Sequence, residues 1–511
     1  MIAFLVATAM LFAQEAYAPV KPTIIPRPAQ MELGAGSFEL KYTMSVLVYS
    51  GEPDAREIAD YLAGLLGFGF SSQVDVMELD EDRSDVPGIR VTTRGGDRSL
   101  GDEGYELRID LNGMLLRAPT ARGLFLGVQT IRQLLPPEFR TKGLGMGKPV
   151  FLPVLKIVDK PRYSWRGMLL DCSRYYMSAN FVKRYIDLLA FHKMNVFHWH
   201  LTDDQGWRIE IKKYPKLTRI GGFRGEETEV YGGYYTQVDV RDVLKRAKSR
   251  FVMVVPEIEL PGHAGAALAA YPELSCTGGP FKTSTRWGVH KDIFCAGNEK
   301  TFEFLEAVLS EVIELFPSEY IHIGGDEVPK DRWKECPKCQ ARIKSEGLKD
   351  EDELQSYFVK RIEKFLNSKG KRLIGWDEIL EGGLAPNATV QSWRGMDSAV
   401  TAATAGHDVI VSPTSHCYLD YPHVKDAKYP AWMGVTSLEQ TYSFEPTPPS
   451  LTPEQARHIL GAEVNMWTEH APQKRVDHQV FPRLCALAEV TWTPKELRDW
   501  PNFSERMKTH Y

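Results

Sequence analysis

The feature that most constrains the fold is an alternation of short apolar runs and longer amphipathic segments after Pro161. Eight runs have the composition of buried β-strands, and most are separated by segments with apolar residues at helical spacing. The runs read RGMLLDCSR, NVFHWHLTDD, FVMVVPEIELPGH, YIHIGGDE, RLIGWDE, ATVQSWRG, DVIVSP and ILGAEVNMWTE. Eight strands with intervening helices predict a (β/α)8 TIM barrel with insertions. A doubly wound open sheet is the weaker alternative, because no glycine-rich phosphate turn follows the first run.

The segment before the barrel has a different organisation. The strand-like runs YELRID and MLLRAP flank Asn112-Gly113, which indicates a hairpin because Asn-Gly tolerates the positive φ of a tight turn. A segment with helical spacing, TARGLFLGVQTIRQLL, follows and ends before two prolines. We therefore predict a smaller α+β domain with an antiparallel sheet over residues 19–160, and the barrel domain over residues 161–511.

The first 18 residues have the pattern of a secretory signal peptide. An apolar run over residues 2–13 is too short to span a bilayer as a helix, and small residues follow it. No Lys or Arg precedes the run, so a buried first strand or helix is the alternative. We expect residues 1–18 to be a signal peptide and the protein to be exported, to a periplasm, the medium or a lysosome-like compartment.

The charge of the chain gives no reason to expect a polyanionic partner. The 511 residues carry a formal net charge of -5, whereas nucleic acid and anionic membrane surfaces are bound by basic faces. We expect no nucleic-acid partner and no membrane span, and the sequence leaves the oligomeric state open.

Polar and aromatic residues follow the strand-like runs, where the active sites of TIM barrels form. Carboxylates accept hydrogen bonds from hydroxyl groups, and tryptophan rings stack on the apolar face of a sugar. The pattern therefore predicts one pocket for a neutral, polyhydroxylated ligand. Its members are Asp171, Arg174, Asp203, Asp204, His263, Asp326, Glu327, Trp376, Asp377, Trp393, Arg394, Tyr418, Asp420, Trp467 and Glu469.

Two adjacent carboxylates, Asp326 and Glu327, end the fourth run after Gly324 and Gly325. Successive side chains on a strand face opposite ways, so the pair should diverge, and the glycines should let a sugar approach the backbone. Glycoside hydrolysis needs one protonated carboxyl for the leaving oxygen and one charged carboxylate. One member of a divergent pair is poorly placed to attack the anomeric carbon, which indicates a substrate that supplies its own nucleophile.

Six motifs in order resemble the β-N-acetylhexosaminidases of glycoside hydrolase family 20. They are NVFHWHLTDDQGWR, PEIELPGHAGAALAAYPEL, HIGGDEV, GWDEI, QSWRG and NMWTE, and IIPRPAQMELGAGSFEL resembles the start of the family's N-terminal domain. The resemblance implies an exo-acting, retaining enzyme that removes terminal β-linked N-acetylglucosamine or N-acetylgalactosamine without metal or cofactor. The expected partner is an oligosaccharide or glycoconjugate that ends in such a sugar.

The resemblance also implies a role for each site residue. Glu327 would be the general acid, and Asp326 would orient the acetamido group whose oxygen attacks C1 to form an oxazolinium ion. Tyr418 would donate a hydrogen bond to that oxygen. The other roles are the acetamido pocket walls (Trp376, Trp393 and Trp467), the sugar-hydroxyl ligands (Arg174, Asp420 and Glu469), and the residues that hold Glu327 and tune its pKa (Asp203 and His263).

Two other functions fit part of the pattern. His198 and His200 lie on one face of a strand, and a metal-dependent amidohydrolase site could be completed by His263, His322 and Asp326. That interpretation leaves the tryptophans without a role, and we expect His198, His200 and His322 to be structural. A catalytically inactive carbohydrate-binding relative would use the tryptophans but would not need the adjacent carboxyl pair.

The cysteine spacing indicates one disulfide. Cys276 and Cys295 bracket a loop rich in Gly, Thr and Ser and would staple it in an oxidising compartment. Cys336 and Cys339 form C-P-K-C, half of a zinc motif, but no second C-x-x-C completes four ligands. We therefore expect a Cys276–Cys295 bridge and no structural metal.

Overall fold

The computed structural model describes residues 22–80, 87–146, 148–225 and 229–510, and the predicted signal peptide lies outside them. The chain divides into two compact units, Met1–Arg162 with Trp492–Tyr511, and Tyr163–Thr491. The C-terminal segment belongs with the first unit, where the Trp492 indole N–H donates to Asp159 Oδ1 at 2.9 Å.

The first unit contains a seven-stranded sheet with helices. Its elements are β1 (Gln30–Leu40), β2 (Val46–Tyr49), α1 (Pro53–Phe70), β3 (Val76–Leu79), β4 (Ile89–Thr92), a 3-10 turn (Arg98–Leu100), β5 (Tyr105–Ile109), β6 (Met114–Arg117), α2 (Ala121–Leu134), α3 (Pro137–Thr141) and β7 (Val150–Asp159). The strand order is β1-β7-β5-β6-β4-β2-β3. The predicted hairpin is present as the antiparallel pair β5–β6.

The prediction of an antiparallel sheet describes only part of this unit, because the sheet is mixed. β1, β7, β5 and β6 pair antiparallel, whereas β4 is parallel to β6 and β2, and β2 is parallel to β3. The parallel part arises because α1 carries the chain from β2 back to the start of β3, as a helical crossover between parallel strands must.

The second unit is the predicted barrel with its insertions. Its elements in chain order are β8 (Trp165–Asp171), α4 (Ala179–Phe191), β9 (Val196–His200), β10 (Thr202–Asp203), β11 (Gly206–Trp207), α5 (Lys216–Arg219), β12 (Phe223–Arg224), β13 (Tyr231–Gly232), α6 (Gln237–Lys248), β14 (Met253–Glu257), α7 (Gly265–Ala270), a 3-10 turn (Pro272–Leu274), α8 (Glu299–Leu315), β15 (Tyr320–His322), α9 (Asp331–Glu335), α10 (Pro337–Glu346), α11 (Glu351–Ser368), β16 (Arg372–Trp376), a 3-10 turn (Asp377–Leu380), β17 (Thr389–Ser392), α12 (Asp397–Thr404), β18 (Val409–Val411), α13 (Thr414–Cys417), α14 (Leu438–Ser443), α15 (Pro453–Ala456), β19 (Ile459–Met466), α16 (Gln473–Val480) and α17 (Arg483–Trp492). The 3-10 turn Lys495–Leu497 and helix α18 (Trp500–Met507) complete the C-terminal segment.

Eight parallel strands close the barrel in the order β8, β9, β14, β15, β16, β17, β18 and β19, so the TIM-barrel prediction is confirmed. An apolar layer packs in the first half of these strands, with Trp165, Val196, Val255, Tyr320, Ile374 and Ile410 as its members. The polar side chains at the strand ends are therefore left for the opposite mouth of the barrel. Among the described residues, none of the helices has both the length and the apolar character needed to cross a bilayer.

The predicted disulfide between Cys276 and Cys295 is wrong for this structure, because both residues are free thiols. Cys276 and Cys295 do lie close together, as their spacing predicted. Cys336 and Cys339 reach the same place, and the four sulfurs lie within 4.8 Å of each other.

Candidate active site

A sharp turn, rather than strand alternation, positions the two adjacent carboxyls. Strand β15 ends at His322, and Gly324 and Gly325 then adopt φ values of 66° and 91°. Glu327 itself has a φ of 46°, a left-handed conformation that is unfavourable for a residue with a side chain. Strained backbone of this kind is found preferentially at functional sites. The carboxyls of Asp326 and Glu327 are therefore directed by this turn.

The structure places ten of the predicted site residues around one pocket of about 240 Å³ at the mouth of the barrel. These residues are Arg174, His263, Asp326, Glu327, Trp376, Trp393, Tyr418, Asp420, Trp467 and Glu469. Asp203 does not line the pocket but lies behind it, where its carboxylate contacts Arg174.

Three buried polar atoms on the pocket wall have no hydrogen-bond partner among the residues that the structure describes. They are Arg174 Nη1, Asp326 Oδ1 and Asp420 Oδ1. A buried polar atom without a partner costs free energy, so protein interiors rarely contain such groups without a functional reason. One cationic donor and two carboxyl oxygens are therefore available to a ligand that both donates and accepts hydrogen bonds, as a sugar does.

Arg174 forms the cationic corner of the pocket. Its Nη2 lies 2.9 Å from Asp203 Oδ2 and 4.0 Å from Glu469 Oε1, and its guanidinium covers the ring of Trp467 at 5.1 Å. Burial alone would lower the pKa of Arg174, but Asp203 and Glu469 outweigh burial and raise it. Arg174 is therefore a fixed cation.

His263 links two acids behind the pocket to the two acids within it. Its Nδ1 lies 3.1 Å from Asp204 Oδ2 and 3.3 Å from Asp203 Oδ1. On the other side, its Nε2 lies 3.5 Å from Glu327 Oε2 and 3.7 Å from Asp326 Oδ2. Burial would lower the pKa of His263, but Asp203 and the other carboxylates raise it well above its usual value. These carboxylates therefore favour the protonated imidazole.

The two catalytic candidates differ in charge. Burial raises the pKa of Asp326 to about 7, and the nearby carboxylate of Glu327 adds to that rise. A hydrogen bond from His263 lowers the pKa of Glu327 below its usual value. The pKa of Asp326 is therefore raised and that of Glu327 lowered, whereas the predicted roles need Glu327 to carry the proton.

Aromatic rings form the walls beside Asp326, and each wall residue is held from behind. The Trp376 indole donates to Glu257 Oε1 at 2.9 Å, and its ring centroid lies 5.8 Å from that of Trp467. The Trp393 indole donates to Glu378 Oε2 at 2.9 Å, and its ring stacks against Tyr418 at 6.3 Å. The rings are thus oriented for a small apolar group.

Two histidines inside the barrel, His198 and His200, lie close to carboxylates at both ring nitrogens. His198 Nδ1 lies 2.7 Å from Glu463 Oε1 and its Nε2 lies 3.1 Å from Glu257 Oε2, while His200 bonds to Glu257 and to Asp203. Burial opposes protonation, but these carboxylates raise the pKa of His198 to about 9 and that of His200 to about 10. A histidine must be neutral to bind a metal ion, so these contacts disfavour metal binding by His198 and His200, whereas burial lowers the pKa of His322.

Gly324 is required for a reason other than the one expected from the sequence. A Cβ atom at this position would lie 1.7 Å from Glu259 Oε2, so the missing side chain makes room for a buried acid and not for a sugar. Burial and the nearby Asp326 raise the pKa of Glu259 well above its usual value. A protonated Glu259 therefore lies beneath the carboxyl pair.

Several pocket residues were not selected from the sequence. Trp287, Gly288 and Val289 reach the pocket from the loop between Cys276 and Cys295, and Trp432 and Met433 reach it from the loop after Asp420. A tryptophan in a polar loop is a usable signal, and Trp432 is such a residue, since it is 70% exposed and its ring centroid lies 6.5 Å from that of Tyr421. Sequence pattern also gave no reason to select Glu378, which supports the pocket residue Trp393 from behind. Burial raises the pKa of Glu378 to about 8.

The fold and the site define a parallel (β/α)8 barrel protein with carboxyls and tryptophans around a pocket at one mouth, and comparison with known proteins identifies the family. Residues 163–495 match the catalytic domain of glycosyl hydrolase family 20, and residues 21–160 match domain 2 of the same family. The chain therefore belongs to glycosyl hydrolase family 20.

Individual relatives agree with this assignment. A Porphyromonas gingivalis beta-hexosaminidase is 46% identical over 491 residues, which cover 95% of this chain and 62% of that protein. This chain thus spans about three fifths of that relative's length. A beta-N-acetylhexosaminidase structure from Streptomyces coelicolor A3(2) has a TM-score of 0.85 at 34% identity and 97% coverage of both chains. A mutant Streptomyces plicatus beta-hexosaminidase in complex with product (GlcNAc) has a TM-score of 0.83 at 33% identity, covering 96% and 95% of the two chains.

Replacing Gly324 with alanine tests the close contact with Glu259. Gly347, which caps α10, is a matched control because it has the same φ of 66°, and a Cβ atom placed there would have no other atom within 4 Å. Gly347→Ala should cost only the left-handed penalty of about 1–2 kcal/mol, whereas Gly324→Ala should cost about 1–3 kcal/mol more through the collision. Thermal and urea unfolding of both variants measure the difference, and equal losses would contradict the contact.

Proposed function

We propose that this protein is an exo-acting, retaining β-N-acetylhexosaminidase that releases terminal β-linked N-acetylglucosamine or N-acetylgalactosamine by substrate-assisted catalysis. The observation that carries the proposal is the different exposure of the two adjacent carboxyls. The Asp326 side chain is 13% exposed, and that of Glu327 is 41% exposed. One carboxyl therefore faces the closed end of the pocket, and the other faces the open end, where a leaving group would lie.

In the first step, the acetamido group of the substrate acts as the nucleophile. The sugar lies with its 2-acetamido group between Asp326 and the tryptophan walls, and the acetamido N–H donates to the Asp326 carboxylate. The acetamido oxygen then forms a bond to C1 while the bond from C1 to the glycosidic oxygen breaks. Glu327 donates its proton to that departing oxygen, and the charge of the resulting oxazolinium ion is balanced by Asp326.

In the second step, water restores the sugar. Glu327, now a carboxylate, removes a proton from a water molecule. The oxygen of this water attacks C1 and opens the oxazolinium ring. The two inversions at C1 leave the product with the β configuration of the substrate. Tyr418 supports both steps by donating its hydroxyl to the acetamido oxygen, and burial keeps it protonated because its pKa is raised well above 10.

Binding of the substrate changes which of the two carboxyls, Asp326 or Glu327, carries the proton. The acetamido N–H favours the charged form of Asp326, so its pKa falls from about 7. The leaving group covers the exposed side of Glu327 and removes water from it, which favours the protonated form. His263 lies 3.5 Å from Glu327 and holds a proton that can pass to that carboxylate.

The closed end of the pocket supports exo action. Arg174, Asp420 and Glu469 line it, and burial raises the pKa of Asp420 well above its usual value and raises that of Glu469. A protonated carboxyl can donate as well as accept, so this end is suited to the hydroxyls of a single terminal sugar. The Streptomyces plicatus relative, whose structure holds GlcNAc, supports this choice of ligand.

We also propose that the protein acts outside the cytoplasm on oligosaccharides or glycoconjugates with terminal β-N-acetylhexosamine. The apolar N-terminal run and the small residues after it support export.

A pair of matched substrates tests the proposed function. An aryl 2-acetamido-2-deoxy-β-glucoside should be hydrolysed roughly 10³-fold faster than the aryl β-glucoside with the same leaving group, because only the first carries an intramolecular nucleophile. Steady-state kcat/KM for both substrates gives the ratio. Comparable rates would exclude substrate assistance, and sugar binding without any turnover would identify a carbohydrate-binding relative.

Substitution of the two carboxyls should separate their roles. Glu327→Gln should lower kcat by about 10²–10⁴ for an alkyl leaving group and much less for a nitrophenyl group, which departs without a proton. Asp326→Asn should lower kcat for both leaving groups, because it acts on the acetamido group. Kinetics of both variants on both substrates provide the comparison, and Glu439→Gln, on the separate helix α14, is a control that should leave both rates unchanged. An equal dependence of the two variants on the leaving group would contradict the assignment.

The pH dependence should reveal Asp326 in the free enzyme. Its carboxyl must be charged to accept the acetamido N–H, so kcat/KM should fall as the pH drops below about 7. The same limb of kcat should lie at lower pH, since the bound substrate favours the carboxylate. Asp326→Asn should remove the limb from the pH profile of its residual kcat/KM, and a limb that persists unchanged there would assign it to another group.

A further inference from the structure

We propose that Cys276, Cys295, Cys336 and Cys339 form a structural zinc site that fixes the base of the loop between Cys276 and Cys295. This loop, residues 277–294, supplies part of the pocket wall. The site is separate from the catalytic carboxyls, and metal binding by it does not depend on the proposed function.

The two halves of the site come from different parts of the second unit. Ser275 and Phe294 form an isolated antiparallel bridge, which places Cys276 and Cys295 side by side at the two ends of the loop. The other pair lies where α10 begins, with Cys336 preceding the helix and Cys339 in its first turn. This two-residue spacing at a helix start is the usual form of one half of a zinc site.

The spacing of the sulfur atoms fits a tetrahedral metal shell. Cys295 Sγ lies 3.6 Å from Cys339 Sγ and 3.8 Å from Cys336 Sγ, and Cys276 Sγ lies 3.7 Å from Cys339 Sγ. Zinc binds thiolate at about 2.3 Å, and a regular tetrahedron of that radius has edges of about 3.8 Å. All four sulfurs lie within 4.8 Å of one another, so each can reach one central ion.

The chemistry of the donors favours zinc and a closed site. Four sulfur ligands in a tetrahedron are typical of structural zinc, and they leave no coordination position for water or substrate. Cys295, Cys336 and Cys339 are buried, and Cys276 is half-buried. A divalent ion would supply the positive charge that allows buried thiols to ionise.

The backbone around the sulfurs is packed as a rigid cage requires. A Cβ atom at Gly297 would lie 2.1 Å from the carbonyl carbon of Lys338, so the chain after Cys295 packs directly on the backbone of the C-P-K-C segment. The Trp333 indole donates to the Phe294 carbonyl at 2.9 Å, and Arg332 Nε donates to Asp292 Oδ1 at 2.8 Å. The two halves thus meet in one place, with the four sulfurs within 4.8 Å of one another.

The zinc site would act on the pocket through the loop. Trp287, Gly288 and Val289 at the loop tip line the same pocket as Glu327. The loop is held elsewhere by two bonds to the segment after β10, from Ser284 N–H to the Asp204 carbonyl at 3.0 Å and from Gln205 Nε2 to the Arg286 carbonyl at 2.8 Å. Metal binding at its base would complete this support and fix this part of the pocket wall.

Metal analysis of the full chain tests the site. The protein purified under reducing conditions and reconstituted with zinc should retain about one zinc per chain after gel filtration. Cys339→Ser and the Cys336→Ser Cys339→Ser double variant should lose it, whereas Cys172→Ala, which removes a buried thiol outside the site, should keep it. Failure of the wild-type chain to retain zinc, or retention by the double variant, would overturn the proposal.

A second measurement on the unaltered chain does not depend on whether the variants fold. Cobalt substituted for zinc should show intense thiolate-to-metal charge-transfer bands and the visible bands of tetrahedral cobalt. Octahedral cobalt spectra would overturn the four-sulfur assignment. Two disulfides among the same cysteines, detected by non-reducing peptide mapping of freshly purified protein that holds no zinc, would overturn it as well.

The effect on the loop rests on the proposed function and is measured separately. Removal of zinc by a chelator should lower the melting temperature and raise KM several-fold for a substrate with a sugar leaving group, with a smaller change in kcat. Readdition of zinc should reverse both effects. Zinc bound in the expected amount but without any change in KM on its removal would overturn the role of the metal in the loop and leave the metal site established.

Discussion

One buried carboxylate, Glu257, organises the interior on which the pocket is built. It accepts hydrogen bonds from the Trp376 indole and contacts His198, His200 and His322, so it joins the side chains of four neighbouring strands. Burial would raise the pKa of Glu257, but the three histidines lower it well below its usual value. An ion buried this completely is tolerated only with such partners. The position of Trp376 in the pocket wall therefore depends on the buried contacts between Glu257 and the three histidines.

The acids of the site fall into two groups that differ in what lies next to them. On one side, Asp203 and Glu327 adjoin the cations Arg174 and His263 and are held as carboxylates. On the other side, burial raises the pKa of Asp326, Glu259 and Glu378, and nearby carboxylates add to each rise. The divided environment explains why two adjacent residues differ in protonation, in the manner that acid–base chemistry exploits.

The sequence predicts those features that depend on local pattern. The eight barrel strands were identifiable because each is a buried run followed by polar residues, and the pocket residues were identifiable because strand ends meet at one mouth. The mixed sheet of the first unit was not, since parallel pairing of β2 with β3 and β4 depends on where α1 packs and not on strand composition.

Features that depend on contacts between distant parts of the chain could not be predicted from local sequence pattern. Glycine at 324 is explained by Glu259, two residues after the end of β14, and the four cysteines meet through a loop and a helix that are separated by the whole of α8. Trp287 reaches the pocket from a loop with no helical or strand pattern to orient it. The direction of the proton equilibrium was also hidden, because burial and neighbouring charges determine it and neither can be read from motifs.

The attachment of the loop between Cys276 and Cys295 has an evolutionary consequence. Both of its ends lie beside α10, while its tip contributes Trp287 to the pocket wall. Insertions or substitutions between the two cysteines can therefore reshape that wall without moving the turn that carries Asp326 and Glu327. A loop attached in this way can vary in sequence while the carboxyl pair keeps its position.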